Sequence, residues 1–175
     1  MADEPAQATD KQLLLQKIYI KDLSFESPRA PEVFTTSAQA NTQLNIGSGN
    51  RQIDADHVEV SLTLTIESKD NEDTLFLIEI VQAGIFAITG YTDAERAMLL
   101  GSFCPGTLYP FAREAVAETA QKGGFPQLLL QPINFDALYA QALQQRQGGE
   151  AQPAELQVPG DSPQGDGGQG GGETH

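Results

Sequence analysis

Between residues 57 and 68 apolar and polar side chains alternate without interruption. Val58, Val60, Leu62, Leu64 and Ile66 fall on one side, and Glu59, Ser61, Thr63, Thr65 and Glu67 on the other. This is the period of a strand with one buried face, and it predicts a strand over His57 to Ser68. The turn formers and charges of SKDNEDT, residues 68–74, predict a hairpin that returns a second strand, Leu75 to Thr89. That strand is apolar on both sides. Phe76, Ile78, Ile80, Phe86 and Ile88 share one face; Leu75, Leu77, Val81 and Ile85 share the other, around Glu79. An antiparallel strand of this kind needs cover on both faces, which implies a partner subunit or a binding surface.

Upstream, Leu13 to Phe25 is rich in Leu, Ile and Tyr, and Gln39 to Ile46 carries a shorter alternation through Leu44 and Ile46. Both read as strands. The two prolines of SPRAPEVF, residues 27–34, block ladder donation and predict an extended crossover between them. Gly47, Ser48 and Gly49 then predict a loop.

After Gly90 the period changes. Thr92 or Asp93 is placed to cap a short helix bearing Ala94, Ala97, Met98 and Leu99, with Gly101 as its end. A second helix is expected from near Pro105, with Pro110 in its first turn. Its stripe is Leu108, Phe111, Ala112, Ala115 and Val116, and Gly123 and Gly124 stop it. FPQLLLQPI, residues 125–133, reads as an extended apolar connector, and Asn134 as the cap of a third helix with Phe135, Leu138, Tyr139, Ala142 and Leu143 on one side. Strands first and helices last make the class α+β, not α/β.

Composition sets bounds on this picture. A chain of 175 residues is one domain with some length to spare. Its 10 basic and 24 acidic residues give a net charge of −14, the wrong sign for gripping phosphates, so nucleic acid is excluded as a natural partner. Residues 148–175 hold nine of the 17 glycines, five acids and no Lys or Arg, a composition that predicts a disordered acidic tail. Residues 1–147 still carry a net −9, so the folded part is acidic too.

The chain therefore divides into a flexible segment at 1–10, one domain at 11–147 and a tail at 148–175. The first ten residues carry Asp3, Glu4 and Asp10 without an apolar core, unlike a secretory signal. No run approaches the roughly 18 to 20 apolar residues of a membrane-spanning helix. A lone Cys104 fits a reducing compartment. A soluble, cytoplasmic protein that does not insert into membranes is expected.

Catalytic chemistry finds little support. Cys104, His57 and His175 lack the spacing of a zinc site. Cys104 and His57 read as a buried small hydrophobe and a solvated histidine rather than as nucleophile and base. Gly47-Ser48-Gly49 lacks the Lys and Ser/Thr of a phosphate loop. Asp54, Asp56, Asp70, Glu72 and Asp73 lack the glycine and closing Glu of a calcium loop. No enzyme activity, metal or cofactor is expected. What remains is surplus apolar strand and connector surface beside a persistent negative charge, a pairing suited to extended, apolar, basic polypeptide.

Several segments resemble the SecB family of bacterial protein-export chaperones: IYIKDLSFESP (Ile18 to Pro28), Gly84-Ile85-Phe86, Cys104-Pro105, YPFARE (Tyr109 to Glu114), FPQL (Phe125 to Leu128) and PINFDAL (Pro132 to Leu138). They occur in family order across nearly all of residues 11–147. The resemblance implies a four-stranded antiparallel sheet with C-terminal helices on one face, assembled as a dimer of dimers. It implies a cytosolic, ATP-independent chaperone that holds unfolded precursors and delivers them to the SecA motor at the Sec translocon.

Residue by residue, it implies that Asp22, Glu26, Leu77 and Glu79 dock the basic tail of SecA, and that Ile78, Ile80 and Gln82 affect tetramer assembly. A cysteine is common in the family where Ile78 stands here. Clients are expected in a groove between the proline-rich crossover and the helices, for which apolarity and location nominate Phe34, Leu128, Leu130, Phe135, Tyr139 and Leu143. The alternatives are a hotdog-like acyl-thioester enzyme, whose long helix normally precedes its later strands, and an oligomeric regulatory subunit.

Overall fold

The structure is a computed structural model that describes residues 10–148 and 155–157. Four long strands, β1 (Gln12–Glu26), β2 (Asn41–Gln52), β3 (His57–Asp70) and β4 (Asp73–Thr89), form an antiparallel sheet in the order β1-β4-β3-β2. A turn of 3-10 helix, Glu32–Phe34, lies in the crossover from β1 to β2. The hairpin of β3 and β4 is the centre of the sheet. Asn71, at φ 54°, and Glu72 form its two-residue loop; asparagine tolerates this left-handed backbone better than most residues.

Register then assigns the faces. Val60 lies opposite Gly84, Leu62 opposite Gln82, Leu64 opposite Ile80 and Ile66 opposite Ile78. On the other face Glu59, Thr63, Thr65 and Glu67 lie opposite Ile85, Val81, Glu79 and Leu77. β1 joins β4 with bulges between Leu15 and Lys17 and between Ile20 and Asp22. Each extra residue resets the alternation. In consequence Leu13, Leu15, Ile18, Ile20, Leu23 and Phe25 all keep to the inner face, opposite Ile88, Phe86, Gly84, Gln82, Ile80 and Ile78.

Helices cover that inner face alone. α1 (Asp93–Met98) starts with a capping box, the Thr92 hydroxyl accepting from the Glu95 amide and the Glu95 carboxylate from the Thr92 amide. It continues through a π-helical turn, Leu99–Phe103, into α2 (Cys104–Lys122). α2 packs on β3 and β4 through the fully buried Leu108, Ala112, Val116 and Ala120. Gly84 makes the approach possible, because a Cβ there would lie 2.9 Å from Leu108 Cδ2 and 3.1 Å from the Lys17 carbonyl oxygen. After Gly124, at φ 88°, the connector leads to α3 (Phe135–Gly148).

Four details differ from the sequence reading. β2 runs through Gly47, Ser48 and Gly49 to Gln52 instead of ending in a loop, because β3 supplies partners all the way, Gly47 facing Thr63 and Gly49 facing Ser61. Gly101 does not end a helix; it lies inside the π turn, where the ring of Tyr139 leaves no room for a Cβ. Pro110 lies inside α2, not in a first turn, since the helical rod begins before Pro105.

The fourth concerns the chain ends. A short strand, β5 (Glu155–Gln157), pairs antiparallel with β2 at Gln43 to Asn45. The rest of the tail expected to be disordered lies outside the described residues beyond Gly148, as does the N-terminal segment before Asp10.

Filling the gap under α2 tests this packing. Gly84→Ala is expected to lower the midpoint of urea unfolding by the equivalent of about 1–3 kcal/mol, the usual penalty for overfilling a packed core; an unchanged midpoint contradicts the close approach of Leu108 to β4.

Candidate functional site

On the inner side, α3 is pinned at its start. Asn134 Oδ1 accepts from the Ala137 amide at 3.0 Å, the buried Ser102 hydroxyl donates to Asp136, and Tyr139 lies on Gly101. Between α3 and β2 this leaves a cavity of about 500 Å³, lined by Ile46 and Ser48 of β2, Leu100 of the π turn, and Phe135, Leu138, Tyr139 and Leu143. A second apolar feature lies at the crossover. Phe34, half exposed, packs on Phe125 with ring centroids 5.3 Å apart, and Phe125 in turn packs on Phe76 at 4.7 Å and Phe25 at 6.3 Å.

The six residues nominated for the client groove therefore separate. Phe135, Tyr139 and Leu143 line the cavity, and Phe34 caps the aromatic cluster. Leu128 is half-buried against the core and Leu130 is buried within it. Leu129, 68% exposed, is the leucine of the connector that faces outward. Period two in extended chain puts Leu128 and Leu130 on one side and Leu129 on the other, a signal that was present in the sequence. Phe125, Ile46 and Leu100 were also missed, since their place in the site comes from contacts distant in the chain.

The outer face has a different character. Register sets Asp22 opposite Val81, Ser24 opposite Glu79 and Glu26 opposite Leu77, so Asp22, Glu26, Leu77 and Glu79 share one surface. Among the described residues Asp22, Glu26 and Glu79 make no ion pair. The nearest polar contact of Glu79 is the Thr65 hydroxyl at 3.4 Å.

Glu59, towards the start of β3, is the counter-example. Its carboxylate accepts from the Tyr19 hydroxyl at 2.5 Å, from Lys21 Nζ at 3.0 Å and from Arg51 Nε at 3.1 Å. The Tyr19 hydrogen bond above all, then Lys21, hold it well below the usual carboxylate range, at about 2. Glu67 is likewise paired, with Lys69 at 3.1 Å. The outer face is thus neutralised at Glu59 and left negative around Asp22, Glu26 and Glu79.

Ile78, Ile80 and Gln82 lie on the inner face, buried within this chain. The Gln82 amide donates to the Tyr19 carbonyl at 2.9 Å, beside the second bulge of β1, and so helps fix the edge strand. Among the described residues no further strand pairs with that edge, and on its inner side Leu15, Ile20 and Leu23 are exposed, as are Phe103 and Phe111 on the helical layer.

Cys104, the first residue of α2, is fully buried, and burial pushes its thiol up to about 12. His57 has outer-face parity and bonds Asp54 at 2.8 Å and Gln16 at 3.0 Å. A thiol this hard to ionise is a poor nucleophile, and the two residues lie on opposite sides of the sheet. Among the described residues no three His, Cys, Asp or Glu side chains converge as a metal site requires, and no helix is long and apolar enough to cross a membrane.

Comparison with known proteins adds the following. A family described as preprotein translocase subunit SecB matches residues 6–146. A protein-export protein SecB of Methylococcus capsulatus is 50% identical over 151 residues, covering 86% of this chain and 97% of its own. One of Nitrosococcus oceani is 50% identical over 143 residues, covering 81% and 87%. Among solved structures, a SecB-like chaperone of Mycobacterium tuberculosis in complex with a ChAD peptide from an antitoxin superposes with a TM-score of 0.59. It is 16% identical and covers 69% of this chain and 90% of that one; at that identity the likeness is one of fold.

The buried carboxylate yields a pH prediction. With a folded-state value of about 2 against 4.5 when unperturbed, Glu59 contributes stability that is fully present above about pH 4.5 and is lost as pH falls through 2. Glu59→Gln is expected to lower stability at pH 7 by roughly 1–3 kcal/mol and to narrow its gap to the unsubstituted protein as pH falls from 5 to 2. A gap that stays constant over that range, measured by urea unfolding, contradicts the assignment.

Proposed function

This chain belongs to the SecB family, and on that premise we propose how its surfaces divide the work of a protein-export chaperone. The family acts by binding, not by catalysis, which sets aside the acyl-thioester enzyme alternative. Unfolded precursor polypeptides are held on the inner side, in the cavity beneath α3 and at the aromatic cluster around Phe34 and Phe125. Burying one apolar side chain in such a site gives about 1.5–3 kcal/mol, so a long client gains affinity by filling several sites and needs no particular sequence. Nothing in that exchange calls for nucleotide. Folded proteins, which hide their apolar segments, are passed over.

The SecA motor docks on the outer face through Asp22, Glu26, Leu77 and Glu79. Support comes from their shared face and from the three carboxylates around an apolar residue, which form no ion pair among the described residues. Such a surface steers and orients a basic partner. The protein works in the cytoplasm as a homotetramer built from dimers. In favour are the β1 edge, which pairs with no further strand among the described residues, and the exposed Leu15, Ile20, Leu23, Phe103 and Phe111, apolar surface that suits a second copy. Ile78, Ile80 and Gln82 act on assembly indirectly, by shaping the core and anchoring β1 at Tyr19.

One observation carries the reading. Exposed apolar sites and unpaired acids occupy opposite faces of a single sheet, so client and motor need not compete.

Two measurements test it. The protein is expected to suppress light scattering by a slow-folding precursor diluted from denaturant with no nucleotide present; equal scattering with and without it contradicts the holding role. Glu79→Lys is expected to weaken SecA binding about tenfold or more, ~1.4 kcal/mol, through like-charge repulsion, while affinity for an unfolded client stays within about twofold. Parallel loss of both activities contradicts the division of faces.

A further inference from the structure

Basic residues stand close to the carboxylates of the outer face, and the structure shows where they are held. Lys21 is the extra residue of the second β1 bulge, between Ile20, opposite Gln82, and Asp22, opposite Val81. A bulge re-aims the side chain it adds. Here it brings Lys21 onto the same face as its neighbour Asp22, because the Lys21 ammonium donates to both oxygens of Glu59, each at 3.0 Å.

Glu59 is well placed to keep that hold. Its side chain is only 6% exposed, against 49% for Lys21, and the Tyr19 hydroxyl at 2.5 Å and Arg51 Nε at 3.1 Å fix its carboxylate. Charge-assisted bonds of this kind are about twice as strong as neutral ones. Lysine carries a compact charge on a flexible stem, and the carboxylate beside it along β1 is that of Asp22. Lys69 is held in the same way, by Glu67 at 3.1 Å. Lys17 lies opposite Ile85, four residues along β4 from Val81. That is about 13 Å of strand, beyond a Debye length of about 8 Å, so Lys21 is the cation able to decide the charge of the patch.

We propose that Glu59 is a positioning residue of the docking face: by holding Lys21 it keeps that ammonium off Asp22 and leaves Asp22, Glu26 and Glu79 to a basic partner. This rests on the SecA-docking reading and adds to it a residue outside the patch. When Glu59 is neutralised the hold on Lys21 weakens, and the ammonium competes with the partner's own cations for Asp22.

The test measures SecA binding by the unsubstituted protein, by Glu59→Gln, and by two double variants in which Glu59→Gln is combined with Lys21→Gln or with Arg51→Gln. Both double variants keep the net charge of the unsubstituted protein. Glu59→Gln is expected to bind about three- to tenfold more weakly at about 0.05 M salt, the difference shrinking to within about twofold at about 0.5 M, since salt screens charge and leaves packing alone. Adding Lys21→Gln is expected to restore binding to within about twofold. Adding Arg51→Gln is not, because Arg51 is on β2, on the far side of Glu59 from β4 and β1. Proton NMR of the lysine ammonium groups is expected to place Lys21 against Glu59 in the unsubstituted protein and against Asp22 in Glu59→Gln.

Unchanged binding by Glu59→Gln overturns the inference, as does a Lys21 ammonium already against Asp22 in the unsubstituted protein. Equal restoration by both double variants overturns it by showing an effect of net charge alone. Restoration by neither, or a loss of equal size at both salt concentrations, overturns it by showing a structural role. If the unsubstituted protein fails to bind SecA, the docking reading falls and the inference with it; failure of the inference alone leaves that binding intact.

Discussion

The packing of α2 on one face of an antiparallel sheet is the constraint on which everything else depends. Leu108, Ala112, Val116 and Ala120 are fully buried against β3 and β4, and Gly84 gives the space for Leu108. One helical layer closes the core of a single chain and no more. It cannot also cover the outer face, the inner side of β1, or the region between β2 and α3. Those three uncovered regions are the surfaces for which client, motor and self-association roles are proposed. The fold leaves them open by incomplete coverage of a sheet whose β4 is apolar on both sides.

Charge separates the tasks of those surfaces. A carboxylate at the sheet surface can be consumed internally, as Glu59 is by Tyr19, Lys21 and Arg51, or left available, as at Asp22, Glu26 and Glu79. Only the second kind offers a field to a basic partner. On the outer face the unpaired acids Asp22, Glu26 and Glu79 thus lie together where β1 and β4 run side by side. The cavity beneath α3 and the acidic patch lie on opposite faces and share no residue.

The faces of β3 and β4 were legible because an unbroken period of two needs no tertiary information, and Thr92 and Asn134 announced their helices through local capping chemistry. The inner face of β1 was not legible. Its apolar residues at 13, 15, 18, 20, 23 and 25 obey no single period until two bulges are known, and the same bulges bring Asp22 and Glu26 onto the face of Glu79. For those residues only the family resemblance pointed to a common surface, and the register puts them on one face. Glycine misled twice, at Gly47 and at Gly101. A glycine in a strand and one beneath a distant ring look like a loop and a helix stop to a local reading; their partners, Thr63 and Tyr139, lie far along the chain. Leu130 was misplaced by a weaker error, since the three leucines of the connector were read for apolarity without asking which of them point inward.

Client polypeptide is proposed to occupy the helix-covered side of the sheet and to leave the acidic face free. Photo-crosslinking with an unfolded client carrying photoreactive groups along its length, followed by mapping of the attached peptides, tests it most directly. Attachment is predicted at Phe34, Phe125, Leu129, Tyr139 and Leu143, with the segment around Leu77 and Glu79 unlabelled. Attachment concentrated on Asp22, Glu26, Leu77 and Glu79 would contradict the account.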